Sequence, residues 1–150
     1  MKRAGFTMIE LIFVIVILGI LAAVAIPKLA ATRTDAKISK SASDVATALG
    51  DMGSYFTAQG VFSTVGKMTN VKFVTSKDGT TDAKNTDLSK GATVYFNDSA
   101  DKSCLKFTTT SDGNLTIASE SNATAECKGL NTAVQHMEKT HVFGGSNVLY

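Results

Sequence analysis

The stretch FTMIELIFVIVILGILAAVAI, Phe6 to Ile26, decides the architecture of this chain. Its twenty-one residues carry one charge, Glu10, and Pro27 follows directly. At ~1.5 Å per residue a helix of this length spans ~30 Å, the thickness of a bilayer's hydrocarbon core. The run is apolar on every face rather than along one stripe, so lipid or other subunits must cover it. Glu10 inside the run is costly to bury there, and an ionisable residue in such a place marks a function. The segment ahead of it, Met1 to Gly5, is too short for an ordinary secretory signal, which carries its own apolar region before the cleavage site.

Downstream of Pro27 the helical pattern resumes. Pro27 removes the hydrogen bond to the carbonyl of Ala23 and predicts a kink. Ile38, Ala42, Val45, Leu49, Met52 and Phe56 then recur at spacings of four and three, one apolar stripe opposite Lys37, Lys40, Asp44 and Asp51. Gly60 suits a helix C-terminus near Gln59, so a helix from Phe6 to Gln59 reaches ~80 Å. Val71 to Thr75 reads as a short strand, and residues 76–90 read as an exposed polar loop. Ala92 to Phe96, Cys104 to Thr109 and Leu115 to Ser119 read as strands, the last two joined through Ser111-Asp112-Gly113-Asn114. A helical turn over Asn131 to Lys139 and a strand over Val142 to Tyr150 complete the expectation. The fold class is α+β: a long N-terminal helix, its first half transmembrane, packed on a small antiparallel sheet.

Lys2-Arg3-Ala4-Gly5 followed by Phe6-Thr7-Met8-Ile9-Glu10-Leu11 resembles the class III leader and N-methylation site of type IV prepilins and type II secretion pseudopilins. The resemblance covers about the first thirty residues. It implies leader cleavage between Gly5 and Phe6, N-methylation of Phe6 and a subunit-assembly role for Glu10, five residues beyond the cut. It places the family's helix-loosening glycine and proline on Gly19 and Pro27. The implied segments are a leader, residues 1–5; a membrane and filament-core helix, residues 6–27; and an extracytoplasmic pilin-like domain, residues 28–150. The implied partners are identical or related pilin subunits, a prepilin peptidase, an assembly platform protein with its ATPase, and the membrane before assembly. The precursor would lie in the bacterial inner membrane, and the product in a periplasmic pseudopilus or an extracellular pilus. Lys28, Arg33, Lys37 and Lys40 flank the span's far end and run against the positive-inside rule, so the orientation rests on the resemblance.

The formal net charge of +2 includes Lys2 and Arg3. Without them, thirteen basic residues face thirteen acidic ones, which gives no bulk electrostatic argument for nucleic acid. Cys104 and Cys127 could be free thiols, part of a metal set with His136 and His141, or a disulfide. The close cysteine spacing of structural zinc sites is missing, and an exported domain favours the disulfide. Asp78, Asp82 and Asp87 share one loop, as in calcium-binding pseudopilins, but match no defined calcium motif and read as solvated. Asn114 and Asn122 lie in acid-extended acceptor patterns of bacterial N-glycosylation. Nucleotide, hydrolase and zinc-protease motifs are all missing, so neither an enzyme nor a cofactor is expected. The rivals to a filament subunit are a monomeric membrane-anchored extracytoplasmic binding domain and, less well supported, a small secreted enzyme. Twenty-three residues follow Cys127, where type IVa major pilins place their disulfide close to the C-terminus, so pilus and pseudopilus both stay open.

Overall fold

A computed structural model describes residues 5–122 and 124–144. The chain separates into two compact units, Met1–Asp35 and Ala36–Tyr150. Helix α1 covers Met8–Gln59 and so contributes to both. In the first unit Pro27 lies within α1 and the helix continues past it. Thr32 and Thr34 turn their hydroxyls back to the carbonyls of Leu29 and Ala30, a bond that keeps these side chains within the helix's own hydrogen-bonding.

The second unit is a sheet covered on one face. Strands β1 (Thr93–Asn97), β2 (Ser103–Thr109), β3 (Asn114–Ser119) and β4 (Thr140–Val142) pair antiparallel in that order. Period-two alternation sends Val94, Phe96, Leu105, Phe107, Leu115 and Ile117 to the inner face, where all are buried. Val45, Ala48, Met52 and Phe56 of α1 belong to the same core. Phe73 seals one side of the core, meeting Phe107 and Phe96 edge-on at centroid distances of 4.9 and 6.1 Å. On the outer face, threonine hydroxyls pair across strands, Thr93 with Thr108 and Thr116 with Thr140. Lys77 and Lys106 both reach Glu120. Its hydrogen bond and negative charge hold the Lys77 ammonium above its usual value.

α1 ends at Gln59, and Gly60 takes φ +72°, the left-handed backbone that a C-terminal glycine supplies; a single-turn helix, α2 (Val65–Met68), follows. Gly113, at φ +85°, closes the β2–β3 turn directly over the core. A side chain there would run into the Phe56 ring and the Gly144 amide.

Several expectations need correction. Val71–Thr75 is not a strand: Val74 alone forms β-bridges there, to Asp82 and to Tyr95, with which it exchanges both backbone bonds. Residues 76–90 are not a purely solvated loop, because Ala83 and Leu88 are fully buried and isolated bridges tie Asp82 to Val74 and Asp87 to Thr64. The C-terminal helix begins earlier than expected: α3 runs Ala125–Val134, and a 3₁₀ turn over Gln135–Met137 follows. Gly129 conceals it from a propensity reading, yet a side chain at that position would meet Ile38, so the glycine lets α3 lie close to α1. The last strand is Thr140–Val142, and the expectation for residues 145–150 falls outside the described residues.

Candidate functional site

The exposed apolar face sits in the first unit. From Phe6 to Leu29 every large apolar side chain is at least 41% exposed, including all sides of the helix. An 18-residue window of α1 is apolar and long enough to cross a membrane, and none of it is buried. Scattered apolar side chains are ordinary on a protein surface, but a continuous sleeve of this kind requires a covering partner.

Its N-terminal end is built from Thr7 and Glu10. Thr7 precedes the first helical residue, Met8, and its hydroxyl oxygen lies 3.3 Å from the Glu10 amide that it accepts. Glu10 Oε2 reaches back to accept from the Thr7 amide at 2.8 Å and the Thr7 hydroxyl at 2.7 Å. This is a reciprocal capping box: two amides at the helix start that have no partner within the helix are satisfied by the other residue's side chain. The Thr7-x-x-Glu10 spacing ahead of an apolar run is the sequence signal for it, and the reading of Glu10 by its charge alone passed over it. Gly5 and Phe6 lie just before the cap and are exposed. Gly19 sits within α1 with open space where a side chain would stand, and Pro27 lies two turns further on.

The other candidates fall in the second unit. Cys104 on β2 and Cys127 in the first turn of α3 form a disulfide with Cα atoms 4.8 Å apart. The two sulfurs are therefore spent on one another and do not join the histidines in a metal set. His136 is exposed on the 3₁₀ turn, while the His141 ring nitrogen Nε2 lies 3.0 Å from the Met137 carbonyl oxygen. The three loop aspartates serve separate turns. Asp78 accepts from the Ser103 amide and the Asn122 side chain, Asp82 from the Lys84 amide, and Asp87 from the Ser89 amide. The Ser89 bonds hold the Asp87 carboxyl below its ordinary value. Asn122 spends its amide on Asp78 and the Ser103 carbonyl, and Asn114 is the first residue of β3, paired with Val142. Neither asparagine lies in a free extended loop.

No curated protein and no solved structure matches this chain. Residues 1–26 match the prokaryotic N-terminal methylation motif, so the chain carries the class III leader signature of type IV pilins and pseudopilins.

Proposed function

We propose that this chain is a structural subunit of a type IV pilus or type II secretion pseudopilus, assembled after prepilin cleavage by packing of N-terminal helices. The observation that carries the reading is the methylation motif over residues 1–26, in register with a helix whose large apolar side chains are exposed among the described residues. The precursor rests with this helix in the inner membrane. A prepilin peptidase cuts after Gly5, and Phe6 becomes a methylated, positively charged amino terminus. An ATPase-driven assembly machine with a membrane platform then moves the subunit into a filament. There the apolar sleeve is covered by copies of itself, and the second unit forms the outer layer. Filament growth delivers the product to the periplasm or the cell surface.

In this scheme Glu10 has two tasks. Oε2 takes both Thr7 bonds, and Oε1 makes none among the described residues. That oxygen is free to accept from the Phe6 ammonium of a neighbouring subunit without opening the cap. A charge pair of this kind matters where water is excluded, because its unpaired members are strongly unfavourable there. Gly19 and Pro27 weaken the intervening helix, by backbone freedom and by a missing donor, and let it loosen when it leaves lipid. The signature belongs to a structural family rather than an enzyme family.

A membrane-anchored monomer is the second reading, favoured by one observation: the capping box gives Glu10 a use within a single chain. Sheared surface material separates the two, since filaments containing this chain favour the first, and the leader tests the maturation step on which the first depends. A peptidase cleft that admits only a residue without a side chain ahead of Phe6 rejects Gly5→Val. Intact-mass measurement of the membrane fraction should find that variant uncut and the parent chain beginning at Phe6. Efficient cleavage of Gly5→Val, or an uncut parent chain, overturns the proposal.

A further inference from the structure

Asp98 is a buried carboxylate that no part of the filament scheme uses. It is 8% exposed, at the turn between β1 and β2. Its Oδ1 accepts from the amides of Ala100 and Lys102 at 2.8 and 2.9 Å, and its Oδ2 from the Thr124 hydroxyl at 2.8 Å. These three donors fix the carboxylate in place. They also set it against the disulfide: Oδ2 lies 3.8 Å from Cys127 Sγ, and the carboxylate and both sulfurs all fall within 4.8 Å of one another. A disulfide sulfur has no proton to donate, so this contact is not a hydrogen bond. A turn cap alone has no need of a sulfur neighbour. The remaining charged side chains around the adjoining cleft are Lys37, Lys40, Lys72, Asp44, Asp101 and Glu126, three of each sign. With Asp98 counted, the cleft carries an excess of one negative charge.

We propose that Asp98 is an electrostatic guard of the Cys104–Cys127 disulfide, slowing its exchange with thiols. In exchange, an external thiolate forms a bond to one sulfur while the Cys104–Cys127 bond breaks and its electron pair leaves on the other sulfur. A second thiolate then attacks the sulfur of the first, forming the external disulfide and expelling the remaining protein thiolate. The protein gains two electrons as two thiolates, and the two external thiols are oxidised to their disulfide. Attack on Cys104 leaves negative charge on Cys127, beside Asp98. Cys104 and Cys127 are fully buried, so a thiol reaches either sulfur only after local opening, and attack on Cys127 then brings the incoming thiolate to the same carboxylate. Both routes place like charges a few ångströms apart, and poor leaving ability slows exchange further. The bond that fastens α3 to β2 thereby outlasts contact with thiols, and with it the seat of Ile38 beside Gly129.

The test uses the full chain in detergent and two small thiols of opposite charge, cysteamine and 2-mercaptoethanesulfonate. Each rate is normalised to that thiol's rate on a small-molecule disulfide. The guard predicts that the cationic thiol reduces the parent chain about fivefold faster or more than the anionic one, the factor expected of one unit charge at this range even with full solvent screening. A ratio at or below one overturns it, and this measurement needs no variant. Asp98→Asn keeps an acceptor for the turn amides but removes the charge. It should raise both rates and bring the ratio to that of the reference disulfide. A turn that is merely loosened would raise both rates and leave the ratio as in the parent chain, which also overturns the proposal.

Discussion

Glu10→Ala and Thr7→Ala separate the two tasks assigned to Glu10. Both substitutions destroy the capping box, in which three contacts of 2.7 to 3.3 Å join the two residues. Loss of such a cap costs ~1 kcal/mol, a factor of about five in the population of ordered helix start. Thr7→Ala stops there, because the carboxylate of Glu10 stays available to the neighbour's Phe6 ammonium. Glu10→Ala also leaves that ammonium unpaired in a core without water, at ~3–5 kcal/mol. The expected loss of subunit incorporation is therefore about fivefold for Thr7→Ala and roughly 10²-fold or more for Glu10→Ala. Thr7→Ser keeps the hydroxyl and should behave as the parent chain. The assay compares processed subunit in membranes with subunit in sheared filaments, in cells lacking the parent gene. All three variants should be cleaved normally. Equal defects in Thr7→Ala and Glu10→Ala would reduce Glu10 to a cap, and normal yield from Glu10→Ala would refute the ion pair.

Cys127→Ser opens a loop with a sequence separation of 23. It should cost ~3 kcal/mol and lower the melting temperature of the Ala36–Tyr150 unit by ~10 °C or more; a shift within ~2 °C contradicts the assignment. Gly113→Ala should destabilise the same unit by ~2 kcal/mol or more, since the left-handed backbone and the Phe56 ring both oppose a side chain. Unchanged chemical denaturation would count against the packing described. The Asp87 carboxyl is held low in the folded state, so its contribution is present above its unfolded value of 3.8 and is lost as pH falls through the folded value. Asp87→Asn should lower stability near neutrality and flatten its fall at low pH, so that the two proteins converge below the folded value; parallel curves throughout would remove the Ser89 bonds from the account.

What could be read from the sequence follows the strength of its periodicities. The apolar run and the stripe from Val45 to Phe56 each repeat a simple rule over many residues, and α1 runs as they imply, to Gln59. The three longer strands were legible because alternation in Leu105, Phe107, Leu115 and Ile117 is strict and Gly113 punctuates it. The failures lie where burial is irregular. Ala83 and Leu88 are isolated apolar residues in polar sequence, and only tertiary contacts show that they reach the core. α3 hid behind Gly129, although Thr124 caps it by accepting from the Cys127 amide. At the site, the charge of Glu10 was conspicuous and its capping partner was not. Nothing in the spacing of Asp98 and Cys127, 29 residues apart, announced their contact.

The most direct test of the filament reading is intact-mass analysis of material sheared from cells and resolved by electron microscopy. The account predicts filaments whose subunit is this chain, beginning at an N-methylated Phe6 and carrying the Cys104–Cys127 bond. Recovery of the processed chain only as a membrane-bound monomer, with filaments lacking it, would contradict the account.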